Sequence, residues 1–210
     1  MNAMPVRRDE LGADETAALA GLAARVRELA EAAVLTGVDT AEAAAVADEV
    51  AALTARLTAH RRDAPPYGAP GAGGMDRQLG SPVTGVLNPI APPVELEVGS
   101  DGIVRGEFTL GPGYEGPPSY AHGGVSALVL DQALGVAAAA TGTPGMTATL
   151  EVRYRRPTPL GVPLLAEAKA SRVEGRRVFG AGTIAAPDGR VTVEATAMFV
   201  MPKRFVTSQY

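Results

Sequence analysis

Three consecutive residues, His122, Gly123 and Gly124, open a run that reaches Asp131 nine residues after the histidine. Asp131 stands within VSALVLDQALGVAAAA, residues 125–140, where nearly every neighbour is small or aliphatic. A carboxylate buried there without a partner costs several kcal/mol, on the order of 2–7 for a polar group and more for a charge. The acid is therefore expected to line a pocket or interface that water or a ligand reaches. There it would serve as a nucleophile or as a base for water, or else satisfy a structural network across an interface. Gly123 and Gly124 fall where that helix begins. First-turn amides have no intrahelical acceptor, and without side chains a ligand oxygen can come close to them. A carbonyl oxygen gaining charge would be stabilised there by the Gly124 amide and the helix dipole, an effect whose removal commonly costs about 3 kcal/mol. The same glycines also suit tight packing of the helix start under the preceding loop. His122 can polarise a carbonyl through a ring N–H or simply cap the helix, and Thr147, at the opening of the next strand, offers a hydroxyl to orient water or Asp131.

The elements that must hold these groups follow from periodicity. Residues 14–35 place Leu19, Leu22, Val26 and Leu29 on one helix face, with Arg25, Glu28 and Glu31 opposite. Thr36-Gly37 stops that helix. Asp39-Thr-Ala-Glu42 then has the form of a capping box for a second helix running to about His60, with Val46, Val50, Leu53 and Leu57 in register. The expected helical hairpin is too alanine-rich to be stable unless it packs on something, as a structural cap, a dimerisation arm or a lid. Residues 61–93 are rich in Pro and Gly and read as a connector without a continuous element. Val83, Val86, Leu87 and Ile90 in it are apolar enough to lie along the core or over a pocket mouth. From Val94 the period becomes two, in VELEV and in IVRGEFTL at 103–110, with Val104, Phe108 and Leu110 on the inner face. After the apolar helix, strands are expected at about 146–156, 162–174, 177–186 and 191–201. Asp101-Gly102, Glu174-Gly175 and Asp188-Gly189 mark hairpin turns. A long apolar helix between two strands and four more is most economically buried by an antiparallel sheet curling around it, an α+β architecture. The expected division is a hairpin over 1–62, a connector over 63–93 and a main domain over 94–210.

Composition narrows the chemistry. With no Cys in 210 residues there is no disulfide framework, thiol nucleophile or thiolate metal site, and two His argue against a multi-histidine metal centre. No cofactor is expected. No stretch is long and apolar enough to span a membrane, and MNAMPVRRDELG lacks the apolar core of a signal peptide, so a cytoplasmic protein is expected. The net charge of −4 and the absence of Trp or any basic run with interleaved aromatics speak against nucleic-acid binding. Residues 1–60 carry ten acids and five bases and residues 145–210 the reverse, five acids and ten bases; the latter suits an anionic ligand or merely exposed strand faces.

The runs GYEGPPSYAHGGVSALVLDQALG and GMTATLEVRYRRPTPLG together resemble the hotdog-fold acyl-CoA thioesterases of the PaaI-like and THEM4-like group. The likeness extends from about Val94 to Val200 and rests on the HGG start, the acid nine residues on, the Thr-bearing strand and the Arg-Pro-x-Pro-Leu-Gly segment in this order. It implies a curved antiparallel sheet wrapped around the helix, with dimerisation through adjoining sheets and two active sites between subunits. In that arrangement the Gly124 amide, with Gly123 and His122 beside it, would hold the thioester carbonyl. Asp131 of the other subunit would attack it or activate water, and Thr147 would stand beside that acid. Arg155 and Arg156, with Lys203 and Arg204, become candidates for the phosphates of CoA. One departure is Gly116, which stands where some relatives carry an Asn. The expected partner is an acyl-CoA, with a medium or long fatty acyl group suggested by the small residues around the helix. The expected assembly is a homodimer, with a tetramer left open. A non-catalytic acyl-CoA- or lipid-binding dimer and a hotdog hydratase or dehydratase are the alternatives.

Overall fold

The computed structural model describes residues 8–70 and 76–203. Its N-terminal part is a pair of helices, α1 over Ala13–Leu35 and α2 over Thr40–Thr58. Asp39 starts α2 as the capping motif requires, one carboxylate oxygen accepting from the amides of Ala41 and Glu42, each at 2.9 Å. Arg62, just beyond α2, returns to Asp9 and Glu15 at the foot of α1, so the two helices run antiparallel. The face of α1 that packs is rotated from the expected one. Ala23 is buried with Leu19 and Val26 half-buried, while Leu22 and Leu29 are exposed, because α1 rests on a 3-10 turn at Pro112–Tyr114. Arg27 Nη2 donates to the carbonyl of Asn88 at 3.2 Å, and the Tyr114 hydroxyl donates to the carbonyl of Ala91 at 3.0 Å, which ties helix, connector and loop together. No residue of α2 is buried, and Val46, Val50, Leu53 and Leu57 all remain exposed.

The connector is more structured than its composition predicts. Strands β1, Tyr67–Pro70, and β2, Asp76–Gln78, pair antiparallel, since a ladder this short needs few amides and tolerates a proline at its end. Leu79, Val83 and Ala91 are buried, Val86 and Leu87 half-buried, and Ile90 faces outward.

The main sheet contains β3 (Glu97–Val98), β4 (Ile103–Thr109), β5 (Met146–Tyr154), β6 (Pro163–Glu174), β7 (Arg177–Ala185) and β8 (Val191–Val200). Its order is β3-β4-β6-β7-β8-β5, with every neighbouring pair antiparallel. Of VELEV only the last two residues pair as a strand. Val94 is instead buried in the core, its amide closing a turn on the Pro92 carbonyl at 2.8 Å. The three expected hairpin glycines, Gly102, Gly175 and Gly189, all have positive φ, which the tight connections demand. Helix α3, Gly123–Ala139, lies across one face and packs on β4, β5, β6, β7 and β8. Val129, Leu130, Ala133 and Leu134 meet Val104, Phe108, Leu164, Ile184 and Phe199 in a single core. This is the α+β hotdog arrangement. β5 forms one edge of the sheet, with no strand beyond it among the described residues, and Met146 and Tyr154 at its ends are 59% and 56% exposed.

Candidate active site

The start of α3 is held by its own loop. The His122 amide donates to the Tyr114 carbonyl and the Ala121 amide to the Thr158 carbonyl, both at 2.9 Å. The loop is so tight at Gly116 that an added Cβ would stand 2.8 Å from the Cα of His122. A side chain at this position would not fit without moving the motif. His122 is the N-cap, and its Nδ1 accepts from the Gly124 amide at 3.0 Å. The structure thus spends the Gly124 amide, assigned from sequence to a carbonyl oxygen, on the histidine ring. The amide left over is that of Gly123, which has no acceptor among the described residues. The carbonyl of Gly123 accepts from the Tyr154 hydroxyl at 3.0 Å, and a Cβ at 123 would meet that ring at 3.0 Å. Only a glycine leaves the tyrosine where it is.

Gly123 faces a cavity of about 390 Å³ bordered by Tyr120, Ala121, Ser126, Tyr154, Arg156 and Thr158. Arg155 also reaches it, but its guanidinium is paired with Glu194 at 2.8 Å. Hydrogen bonding to Arg155 holds the Glu194 carboxyl below its ordinary range and raises the arginine in turn. Arg156 Nη1 donates to the Val191 carbonyl at 3.0 Å. Both arginines therefore stand at the rim with part of their donor capacity used. Lys203 is exposed at the end of the described chain, and Arg204 lies outside the described residues.

Asp131 is half-buried, and Thr147 Oγ1 donates to its Oδ1 at 2.8 Å. The acid therefore finds its partner on the exposed edge strand β5, which brings together two residues chosen from sequence for chemistry. A second cavity, of about 450 Å³, begins at the adjacent Gln132 and runs along Val136, Leu79, Val86, Val94 and Leu96. Arg77, Gln78, Leu79, Thr84 and Val86 of the connector form part of its wall. Gly123 and Asp131 are not brought together within one chain. Eight residues apart on one helix, they are separated by about 12 Å along its axis.

Two residues of the site escape a reading of the sequence. Tyr154 looks like an ordinary strand aromatic, and only the fold places it over Gly123. Ser126 does carry a signal, because it follows Gly123 by three positions and so shares its helix face.

A family model described as "Thioesterase superfamily" matches residues 119–193, the stretch holding the HGG start, Asp131 and Thr147. The chain is 39% identical over 94 residues to the acyl-coenzyme A thioesterase THEM4 of Xenopus laevis, a match covering 44% of this chain and 42% of that protein. With the mouse THEM4 it shares 34% identity over 87 residues, covering 41% and 37%. The matched part thus spans less than half the length of these curated relatives. A solved structure of a thioesterase superfamily protein is similar over far more of the chain, with a TM-score of 0.78, 41% identity and coverage of 87% of this chain and 94% of that one. On that likeness, sustained over nearly the whole of a solved member, the chain belongs to the thioesterase superfamily.

Proposed function

We propose that the protein hydrolyses acyl-CoA thioesters as a homodimer in which each site joins the α3 start of one copy to Asp131 of the other. The observation that carries this reading is the pairing of Asp131 with Thr147 on an unpaired edge strand, on the same helix as a free Gly123 amide but about 12 Å along it. One copy supplies both halves of a hydrolytic site without closing it. A second copy set against β5 is the economical way to bring an acid to an amide. The thioester carbonyl then lies on Gly123, in place of the Gly124 contact expected from sequence, with His122 fixing the turn. Asp131 of the other copy takes a proton from water as the water oxygen bonds to the carbonyl carbon, or attacks that carbon itself, expelling the CoA thiolate and leaving a mixed anhydride that water hydrolyses to the free acid and the restored carboxylate. In the first route the carbonyl electron pair moves to oxygen, returns as the C–S bond breaks, and the CoA thiolate recovers the proton from Asp131. Thr147 orients the acid. Arg156 and the rim about it suit the anionic leaving group. The cavity at Gln132, with its wall of Leu79, Val86, Val94 and Leu96, supports a medium or long fatty acyl chain.

Thiol release from palmitoyl-CoA and from a short acyl-CoA, with wild type and Asp131→Ala, tests the reading. Turnover should fall at least about 100-fold in the variant, about 2.7 kcal/mol of transition-state stabilisation. Equal release by both proteins removes Asp131 from the mechanism. Tight binding of acyl-CoA without release favours a non-catalytic binding dimer.

A further inference from the structure

Three polar residues are buried in the described chain: Ser126, Thr158 and Thr192. Two of them satisfy each other. Thr158 Oγ1 donates to Thr192 Oγ1 at 3.0 Å, and Thr192 donates onward to the Ile184 carbonyl at 3.1 Å. Ser126, only 2% exposed, makes no hydrogen bond among the described residues. A helical hydroxyl has an easy alternative, the carbonyl four residues earlier, and Thr54 and Thr58 in α2 both take it at 2.8 and 3.0 Å. Ser126 does not. It lines the 390 Å³ cavity instead.

Several of the other polar groups around the cavity are engaged. The Tyr154 hydroxyl is held by the Gly123 carbonyl, Thr158 by Thr192, Arg155 by Glu194, and one arm of Arg156 by Val191. On one face of the first turns of α3, the Gly123 amide and the Ser126 hydroxyl are two donors that find no acceptor among the described residues. An unmet buried donor is costly enough that a site retaining it implies a partner supplied from outside.

We infer that Ser126 is a catalytic residue, the second donor to the thioester carbonyl oxygen beside the Gly123 amide. This rests on the thioesterase reading above and adds a residue to it. When the carbonyl carbon is attacked, the π pair moves to oxygen and both donors tighten on the resulting alkoxide. Neither gives up its proton. When the tetrahedral centre collapses, the pair returns to the C=O bond, the C–S bond breaks and the thiolate departs. A hydroxyl kept idle in the free protein is thereby matched to charge that exists only during the reaction.

The test compares Ser126→Ala, Ser126→Val and Ser126→Thr. Ala and Val should lower kcat for thiol release about 100-fold with little change in KM, and Thr should restore it to within a few-fold of wild type. The melting temperature of Ser126→Ala should equal or exceed that of wild type, because the hydroxyl it removes bonds to nothing; a merely structural serine would lower it. A second measurement does not need turnover. Replacing the thioester sulfur of an acyl-CoA by CH2 gives a ketone, and replacing the carbonyl by CH2 gives a thioether. Ser126→Ala should weaken the ketone about tenfold and leave the thioether unchanged. Wild-type kcat in Ser126→Ala, or equal weakening of both analogues, overturns the assignment. If wild type itself releases no thiol, the thioesterase reading fails separately, and the contrast between analogues still decides whether Ser126 binds a carbonyl.

Discussion

Helices α2 and α3 are both rich in alanine and similar in length, at 19 and 17 residues, yet α3 buries seven of its residues and α2 none. The difference lies in what each helix has to pack against. α3 crosses five strands, while α2 carries Glu42, Asp48, Glu49 and Arg56 among its alanines and buries no residue against the rest of the described chain. Alanine permits a helix in either setting and decides nothing about where it goes. In α3, where almost everything else is apolar, a single charge is informative. In α2 the row of Val46, Val50, Leu53 and Leu57 is informative for the opposite reason, being an apolar stripe left exposed among the described residues.

The contrast breaks most directly at the core. Leu134→Ala, in the middle of the buried face of α3, should cost about 3 kcal/mol in urea unfolding, because removing a sealed leucine leaves a cavity between helix and sheet. A loss below about 1 kcal/mol would mean that the helix is not seated as described. Next in size is the one polar contact that gives α3 its acid. Thr147→Val should reduce kcat about tenfold, roughly 1.4 kcal/mol, whereas Thr147→Ser keeps the donor and stays near wild type. Equal rates for all three proteins would detach Thr147 from the acid. The smallest effect belongs to α2. Leu53→Ala, at 49% exposure, should change stability by no more than about 0.5 kcal/mol. A larger, concentration-dependent loss would show that a second copy covers the stripe.

Much of this was legible in the residues because the relevant signals are local. The period-two runs, the glycine turns and the capping aspartate at residue 39 each act within a few positions, and the helices and the strands of the main sheet fall within a few residues of their expected limits. Asp131 and Thr147 were nameable because each is chemically out of place or well placed on its own element. What stayed hidden depends on contacts between distant segments. That the Gly124 amide is capped within its own turn depends on the rotamer of one histidine ring. The packed face of α1 is set by the Pro112–Tyr114 turn, some eighty residues away, and Val94 leaves its strand pattern to join the same buried core as Val83 of the connector. The idle state of Ser126 is visible only when every neighbour's hydrogen bonds are known.

Strand β5 has one more consequence. It contacts α3 at two places, through Thr147 to the acid and through Tyr154 to the first glycine, so one strand sets the position of both halves of the proposed site. If another molecule docks along its unpaired flank, both ends are fixed by a single association event. Competence then obeys mass action, and the working catalyst is a fraction of the population that shrinks on dilution.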